Sequence, residues 1–461
     1  MKRMPRPTVR ELPGDLLTPV AAYLRLRRPG EPSFLLESGA SAGGAARWSF
    51  LGAGPAEELA VRGGRAVVRS GGRERVLPGS PFAALKAYAA ALRAEPIPGL
   101  PPFAGGLVGW LGYEMVRHLE PAAGLRDPGG DEARLWLFRD VAAYDHVRGR
   151  VVLVSNGGGK AALDAMARRL AAPLIKEEPS ARGGSPARPL MARAAFEAGV
   201  RALKARIRAG DIFQGVLSAP FEAATRKTPS AVYRALRRLN PSPYLFLLEG
   251  RREAWLGASP ETLVRCHQGA LETRPIAGTR PRGAGPEEDA ARERELVASV
   301  KEGAEHLMLV DLGRNDIGRV ARPGSVRVPV YRSVERYSHV MHLVSTVTGR
   351  LAPGRGAWDA LASCFPAGTV SGAPKIKAMS LLAGLEHEPR GFYAGAVVYS
   401  DYHGNLDSAI AIRSLSMRRR AAGWTVRAQA GAGVVYDSRP AAEWREVNAK
   451  AAAALRALEA A

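Results

Sequence analysis

Two short acidic segments have the residue types and the spacing of a metal site. Glu302 and Glu305 lie three residues apart, as do Glu443 and Glu446, so each pair would share one face of a helix. Two such faces brought together would form a carboxylate cage for a hard cation such as magnesium. We expect Glu305 and Glu446 to bind the metal directly, with Glu302 and Glu443 supporting them. Either pair alone is also explained by a solvated helix face.

A glycine-rich segment precedes the second acidic pair. Gly431 and Gly433 lack the third glycine and the following helix of a dinucleotide-binding fingerprint. A bulged strand would explain them, and so would a close approach of the backbone to an anion. Lys450, one helical turn after Glu446, would help to neutralise a carboxylate. Arg413 is a charge within an apolar strand sequence, and we favour carboxylate recognition over an edge-strand position.

Three further segments contain candidate site residues. The segment 365–375 contains Thr369 between glycines and prolines, and would present hydroxyl and N–H groups to an anion where a helix begins. The segment 274–283 has three arginines and two prolines, which indicates either a rigid basic loop or a surface turn. His339 and His342 are three residues apart in a strand sequence, so at most one would point into a site.

The bulk composition is that of a folded globular chain. The 461 residues are 46% hydrophobic and 24% charged, with no run approaching the ~20 apolar residues of a membrane span. No apolar segment follows the basic residues near the N-terminus, so we expect no secretory signal. The two cysteines, Cys266 and Cys364, are far apart, which excludes a disulfide framework and a cysteine-rich zinc site. We therefore expect a cytoplasmic protein.

The net charge of +22 raises the alternative of a nucleic-acid-binding protein. Nucleic-acid binders cluster their basic residues with aromatic ones, whereas the basic residues here are spread along the chain. We therefore expect no nucleic-acid partner, and a basic surface would attract a small anionic substrate instead.

Apolar periodicity predicts strands interleaved with helices. Strands are expected within 33–52, 65–76, 141–154, 212–217, 244–248, 254–257, 340–347, 391–399 and 409–414. Helices are expected over 196–207, over 286–309 and from residue 440 onward. Without regular βαβ alternation, this order predicts an α+β fold with mostly antiparallel sheets. A polar, Pro/Gly-rich linker over 176–190 would separate an N-terminal region (1–175) from a catalytic region (191–461).

Together these segments resemble the chorismate-utilising enzymes across nearly the whole chain. The resemblance is densest from Asp211 to Lys450 and is carried by the joint motifs 275–283, 305–316, 337–349, 365–379, 391–414 and 429–450. It implies the family fold, which is a large two-layer antiparallel β-sandwich with flanking helices and a deep active-site cleft. It also implies chorismate as the substrate and magnesium as the cofactor.

Two positions sort the chain within that family. Isochorismate and salicylate synthases have a water-activating lysine where this chain has Gln214, and an amide cannot act as that base. Aminodeoxychorismate synthases usually have a nucleophilic lysine where this chain has Ala277, which cannot form a covalent adduct. The chain is thus most similar to the anthranilate synthase branch, in which ammonia attacks directly. Aminodeoxychorismate synthases that lack the lysine remain the alternative.

The resemblance also assigns roles to individual residues. It implies Glu261 as the acid that protonates the leaving ring hydroxyl, with His342 assisting. It implies ligands for the enolpyruvyl carboxylate (Tyr393, Arg413), ligands for the ring carboxylate (Gly431, Gly433, Lys450) and residues that line the site (Gln214, Ala277, Gly278, Thr279, Thr369). The residues that match a tryptophan feedback site are Glu37, Ser38, Arg47, Asn240, Pro241, Ser242, Pro243 and Tyr244.

Ammonia would come from a second protein. A glutaminase needs a cysteine nucleophile on a sharp glycine-rich turn with a histidine partner, and neither Cys266 nor Cys364 has that setting. We therefore expect a separate glutamine amidotransferase subunit, a hetero-oligomer, and L-tryptophan as an inhibitor.

Overall fold

The computed structural model describes residues 6–39, 47–92, 97–173, 184–337 and 340–461. These residues form 24 strands: β1 (Thr8–Pro13), β2 (Ser33–Glu37), β3 (Trp48–Ala53), β4 (Glu57–Arg62), β5 (Arg65–Ser70), β6 (Arg73–Val76), β7 (Gly106–Leu111), β8 (Asp131–Phe138), β9 (Asp140–Asp145), β10 (Arg150–Ser155), β11 (Gly184–Pro189), β12 (Gln214–Thr225), β13 (Tyr244–Glu249), β14 (Glu253–Ser259), β15 (Thr262–His267), β16 (Ala270–Thr273), β17 (Ile276–Pro281), β18 (Arg327–Arg336), β19 (Val340–Arg350), β20 (Gly372–Ala373), β21 (Ala396–Asp401), β22 (Leu406–Ile410), β23 (Ser414–Arg420) and β24 (Gly423–Val434).

The same residues form eleven α-helices and two 3₁₀ turns. The helices are α1 (Pro19–Leu26), α2 (Pro81–Ala91), α3 (Gly159–Ala171), α4 (Arg193–Arg208), α5 (Pro229–Leu239), α6 (Pro286–Ala298), α7 (Val300–Gly318), α8 (Ala357–Cys364), α9 (Gly368–Ser371), α10 (Lys375–Leu385) and α11 (Pro440–Ala460), and the 3₁₀ turns are Tyr113–His118 and Pro121–Ala123. No helix in this described part of the chain is long and apolar enough to cross a membrane.

Two antiparallel sheets of twelve strands each confirm the predicted α+β sandwich. The first sheet has the order β1-β10-β9-β3-β2-β13-β14-β23-β24-β12-β11, with β20 paired to β12. The second has the order β17-β19-β16-β15-β22-β21-β7-β8-β4-β5-β6, with β18 paired to β19. Because strands from before and after the predicted linker are hydrogen-bonded neighbours in both sheets, the two halves of the chain form one sandwich.

The core has three main layers. Aromatic residues of β7 and β8 in the second sheet pack against those of β2, β3, β13 and β14 in the first, and the rings of Trp110 and Trp255 are 5.0 Å apart. The outer face of the first sheet packs against helices that include α4, α5 and α11. The outer face of the second sheet packs against α2, α7 and α8. Burying apolar area on both faces of both sheets is the main source of stability.

The predicted helix boundaries are confirmed in part. In α4, the periodic residues Phe196, Val200 and Leu203 are buried, and the chain leaves this helix at Gly210, whose φ is 82°. The predicted single helix 286–309 is wrong, because Ser299 ends α6 and begins α7. The backbone of Ser299 is extended and its hydroxyl accepts the N–H of Glu302, which is an N-cap.

The predicted linker is also wrong in its described part. Residues Gly184–Pro189 form the edge strand β11, which pairs with β12. The preceding residues of the predicted linker, up to 183, lie outside the described residues.

Gly109 in β7 provides a test of the sheet packing. A Cβ added there would lie 2.1 Å from the carbonyl oxygen of Arg134 in β8, a backbone atom that cannot move without displacing the strand. We expect Gly109→Ala to lower the free energy of unfolding by about 1–3 kcal/mol, measured by urea denaturation. Gly130→Ala is the matched control, since an added Cβ at Gly130 contacts nothing within 4 Å. Equal stability of the two variants would contradict the packing described.

Candidate active site

Four of the predicted site residues come together at one end of the longest strand pair in the first sheet. β12 and β24 pair without a register shift from Gly215–Val434 to Thr225–Trp424. Helix α11 then returns across β24, and Lys450 Nζ donates to the carbonyl oxygen of Gly431 at 3.0 Å. This end of the pair therefore brings Gln214, Gly431, Gly433 and Lys450 together.

Gly431 and Gly433 of β24 are required by side chains that lie on the strand. A Cβ at Gly431 would be 2.8 Å from the hydroxyl oxygen of Tyr393, and a Cβ at Gly433 would be 2.3 Å from Gln214 Nε2. Because the pairing with β12 is regular here, the explanation by a bulged strand is wrong. The glycines instead provide the close approach that the sequence suggested, toward Tyr393 and Gln214.

Arg413 lies in a crossing between the sheets. The prediction of a strand interior is wrong, because β22 ends in the second sheet and β23 begins in the first, with Arg413 between them. Its φ is 51°, and that of Ala394, which follows Tyr393, is 64°. Left-handed backbone at residues other than glycine costs about 1 kcal/mol or more, and it concentrates at functional sites.

The Arg413 guanidinium makes no hydrogen bond or ion pair with any described residue. Burial lowers its pKa, and the nearby Tyr393 and Glu446 raise it. Burial also raises the pKa of Tyr393, to about 12, so its hydroxyl remains a hydrogen-bond donor at neutral pH. A sequestered cation without a partner favours an anionic ligand, and the planar guanidinium suits a carboxylate.

Glu261 is a buried carboxyl between the sheets, and only 8% of its surface is exposed. Its Oε1 accepts the hydroxyl of Thr369 in α9 at 2.8 Å. Burial raises the pKa of Glu261 from the ordinary value of 4.5 to about 8, although the Thr369 hydrogen bond opposes the shift. Glu261 is therefore a protonated carboxylic acid at neutral pH.

The acidic pairs of α7 and α11 approach each other. Burial raises the pKa of Glu305, and the negative charges of Glu302 and Glu446 raise it further. Glu302 also accepts from Arg280 at 3.1 Å, and burial raises the pKa of Glu443. Because like charges that converge are stabilised by a cation, these donors fit a magnesium ion held by few carboxylates. Among the described residues, no three His, Cys, Asp or Glu side chains form a site by themselves.

Lys450 is paired with one of the predicted metal ligands. Its Nζ lies 2.6 Å from Glu446 Oε1, so the charges of the two residues neutralise each other in the ligand-free chain. The pair is exposed at the surface of α11, with about half of the Glu446 side chain and a third of the Lys450 side chain accessible. Binding of a metal and an anion here would therefore exchange one exposed ion pair for new contacts, which costs little.

His342 faces the segment that contains Ala277, Gly278 and Thr279. Its Nδ1 is 3.1 Å from both the Gly278 carbonyl oxygen and the Thr279 hydroxyl. Since a carbonyl only accepts, Nδ1 carries the proton and Nε2 keeps its lone pair. Burial lowers the pKa of His342, which favours this neutral form. His339, the other candidate, lies outside the described residues.

The segment 274–283 is not a basic loop, because it contains strand β17 and its arginines are paired. Arg274 pairs with Glu335, Arg280 with Glu295 and Glu302, and Arg282 with Asp289. Gly278, with a φ of 63°, interrupts the pairing of β17 with β19 and packs against Glu302 of α7. The arginines are thus held by neighbouring carboxylates, and in the described part of the chain Arg280 alone of the three pairs with the acidic helix α7.

The residues of the predicted feedback site form two adjoining segments. Gly39 N–H donates to the Pro243 carbonyl at 3.3 Å, which joins Glu37 and Ser38 to the segment 240–244. Glu37 accepts from Tyr233 at 2.5 Å and from Arg237 at 3.0 Å. The side chains of Arg47 and Tyr244 have partners outside these two segments. Arg47 pairs with Asp145, and the Tyr244 hydroxyl is hydrogen-bonded to Thr262.

One supporting residue was missed from the sequence. Arg390 is buried, forms an ion pair with Glu386 at 2.7 Å, and donates to the Val370 and Val216 carbonyls. Its guanidinium stacks on the ring of Tyr393, 5.8 Å from the centroid. Glu386 and Arg390 lie four residues apart, and that spacing usually indicates a solvated ion pair, so nothing in the sequence indicates that the pair is buried.

The profile of the family described as chorismate binding enzyme matches residues 31–456. The chain belongs to this chorismate binding enzyme family. It is 45% identical to anthranilate synthase component 1 of Mycolicibacterium smegmatis, over 99% of this chain and 91% of that relative. It is 44% identical to anthranilate synthase component 1 of Thermus thermophilus, over 98% of each chain.

Solved structures of chorismate binding enzymes share the fold. Anthranilate synthase component I from Streptococcus pneumoniae superimposes with a TM-score of 0.80, at 34% identity, over 96% of this chain and 98% of that one. The menaquinone-specific isochorismate synthase of Escherichia coli superimposes with a TM-score of 0.74 at 19% identity, over 99% and 95% of the two chains. The second likeness concerns the fold alone.

The burial of Glu261 in this chorismate binding enzyme predicts a pH-dependent cost to stability. The folded-state pKa, about 8, lies above the ordinary 4.5, so the folded chain binds the proton more tightly than the unfolded chain does. Stability from this residue is therefore full below pH 4.5 and is lost as the pH rises to about 8, by up to roughly 5 kcal/mol.

Glu261→Gln removes that titration. We expect this variant to gain stability relative to the wild type between pH 5 and pH 9, measured by urea denaturation at both values. Glu459→Gln, at an exposed position near the end of α11, is the control and should show no such change. A pH-independent difference between Glu261→Gln and the wild type would mean that Glu261 titrates normally.

Proposed function

We propose that the chain catalyses the reaction named for its relatives, the conversion of chorismate and ammonia to anthranilate and pyruvate. The observation that carries this proposal is a buried carboxylic acid, Glu261, which is protonated at neutral pH. Its crossing between the sheets is hydrogen-bonded through the backbone to the crossing that holds Arg413, a partly buried cation without a partner among the described residues. The carboxylic acid suits protonation of a leaving hydroxyl, and the guanidinium suits an anionic substrate.

Arg413 and Tyr393 would bind the enolpyruvyl carboxylate. Arg413 itself has left-handed backbone, as does Ala394 next to Tyr393, and the Arg390 guanidinium lies over the ring of Tyr393. The backbone of Gly431 and Gly433 would let the ring carboxylate approach β24 closely. Side chains at these two positions would collide with Tyr393 and Gln214, so the glycines also keep those residues in place.

Glu261 would act as the general acid. Ammonia adds to the ring carbon beside the one that bears the carboxylate, while the ring hydroxyl leaves as water with the proton of Glu261. The added nitrogen then loses a proton, which balances the one that Glu261 supplied. In the second stage the ring loses the hydrogen at the aminated carbon and pyruvate leaves, which makes the ring aromatic. His342, whose Nε2 keeps its lone pair, would assist this proton removal.

Magnesium would be held by Glu305 and Glu446, with Glu302 and Glu443 beside them. Burial raises the pKa of Glu305, and the negative charges of Glu302 and Glu446 raise it further; this repulsion supports a cation at this place. When bound, the ion would neutralise the ring carboxylate of the substrate. Lys450, paired with Glu446 in the free chain, would then be available to that carboxylate.

A second protein would supply ammonia. Both cysteines are buried, and burial raises the pKa of Cys364 to about 12, so that thiol is a poor nucleophile. The name of the relatives, component 1, supports a second component, which we propose is a glutamine amidotransferase. We also propose inhibition by L-tryptophan at the two adjoining segments around Glu37 and Pro243, and a cytoplasmic location.

The reaction and its acid can be tested together. Incubated with chorismate, ammonium and magnesium, the chain should form fluorescent ortho-aminobenzoate and an equal amount of pyruvate. Glu261→Gln should lower kcat by about 10²–10⁴-fold, because a primary amide is not an acid. A para-amino product would identify the aminodeoxychorismate alternative, and no turnover would contradict both.

The pH dependence follows from the same carboxyl. At a fixed concentration of free ammonia, kcat should fall as the pH rises through about 8, because Glu261 loses its proton there. Thr369→Val removes the hydrogen bond that lowers the pKa of Glu261, so the fall should move to higher pH. A shift in the opposite direction would contradict the assignment of Glu261.

The source of ammonia is tested with the isolated chain. It should use ammonium salts and should not use glutamine, since it has no activated cysteine. Adding a glutamine amidotransferase component from a relative's organism should confer turnover with glutamine. Glutamine-dependent turnover by the isolated chain would contradict the need for a partner.

A further inference from the structure

A small cavity adjoins Glu261, and neither Arg413 nor Tyr393 is among its lining residues. Its volume is about 40 Å³, and Glu261, Thr369, Asp316 and Cys364 are among its lining residues. The rest of the wall is mainly apolar and includes Leu309 and Ile410. This volume accommodates about two water molecules, and the polar side chains provide partners for them.

One lining residue of the cavity, Asp316, belongs to a buried ion pair. Lys375 Nζ lies 2.8 Å from Asp316 Oδ2, and each side chain is only about one-tenth exposed. Lys375 also donates to the Cys364 carbonyl at 3.4 Å. Burial raises the pKa of Asp316, which Lys375 and Arg319 oppose. A buried ion pair is a weak stabiliser, so the position of this pair at the cavity next to Glu261 is open to a functional explanation.

The proposed chemistry leaves Glu261 without its proton after every turnover. The residue is almost inaccessible to solvent, and in the described chain its only side-chain hydrogen bond comes from Thr369. The carboxylate must regain a proton before it can act again. The cavity connects Glu261 to Asp316 without using Arg413 or Tyr393, the proposed ligands of the substrate.

We propose that water in this cavity, together with the Asp316–Lys375 pair, returns a proton to Glu261 between turnovers. This inference rests on the proposed function. The Glu261 carboxylate takes a proton from the adjacent water, and that water takes one from the next water or from the Lys375 ammonium. The Lys375 amine then regains its proton from bulk solvent. Only O–H and N–H bonds change, and no oxidant or reductant is involved.

Asp316 and Lys375 are positioning residues in this scheme, because they act through Glu261. The other titratable group at the cavity is the Cys364 thiol, which its raised pKa keeps neutral. The scheme separates the first turnover from the later ones. Below about pH 8, Glu261 begins with its proton, so only the second and later turnovers need the cavity.

Asp316→Asn tests the scheme by removing the charge at nearly constant shape. The amide oxygen can still accept from Lys375, so the fold should be retained. In rapid-mixing experiments with chorismate, ammonium and magnesium, we expect a first turnover at the wild-type rate. We then expect a steady state slower by on the order of tenfold, with KM lowered in proportion so that kcat/KM is unchanged, and a larger solvent isotope effect than in the first turnover.

Gly313→Ala tests the cavity without altering a charge. Gly313 lines the cavity, and an added Cβ would lie 3.3 Å from Thr273 Cγ2 and 3.4 Å from Pro275 Cγ. A methyl group there would displace water, and alanine favours the helix. We expect the same result as for Asp316→Asn, a first turnover at the wild-type rate followed by a slower steady state. Gly384→Ala, in α10 with nothing within 4 Å of an added Cβ, is the matched control and should behave as wild type.

Two results would overturn the proposal. One is an equal slowing of first and later turnovers in Asp316→Asn, which indicates a structural role, and the other is no slowing in either variant. If Asp316→Asn does not fold, Gly313→Ala decides the question. A wild-type chain that does not turn over chorismate would overturn the proposed function, and this inference with it.

Discussion

The burial of one carboxyl group constrains the whole site. Glu261 lies where the chain passes from the first sheet to the second, between β14 and β15. Among the described residues, its carboxyl group has one side-chain hydrogen bond, from the Thr369 hydroxyl. An ionised carboxylate there would cost several kcal/mol, so the group stays protonated at neutral pH. The fold accepts the cost because the two large sheets provide enough apolar burial elsewhere. Acid strength at this position is therefore a property of the sandwich and not of the residue alone.

The remaining site residues depend on how the two sheets are joined. β24 presents glycines because Tyr393 and Gln214 occupy the space above them, and Tyr393 is in turn held by Arg390. Arg413 lies at a crossing between the sheets, in a backbone conformation that only the surrounding structure can enforce. Helices α7 and α11 add their acidic faces from opposite sides. The proposed substrate-binding arginine, the proposed acid and the proposed metal ligands thus come from separate segments that only the folded sandwich brings together.

Much of this could be predicted from the sequence, for identifiable reasons. The helical spacing of Phe196, Val200 and Leu203 and the spacing of the acidic pairs depend on local geometry. The helices that contain them could therefore be predicted from the sequence. The break at Ser299 was missed because a single hydroxyl cap outweighs the apolar pattern around it. The roles of Arg390 and Lys375 were missed because burial is a tertiary property. The pairing of Lys450 with Glu446 and the crossing at Arg413 likewise depend on where other elements pack.

The protonation state of Glu261 can be measured directly. The infrared difference spectrum between the wild-type chain and Glu261→Gln isolates the carboxyl stretch of this one residue, and it can be recorded across the pH range in the absence of substrate. The account predicts a protonated carboxylic-acid band that persists through neutral pH and disappears near pH 8. A carboxylate band already present near pH 5 would show that the group titrates as an ordinary glutamate, and would contradict the account.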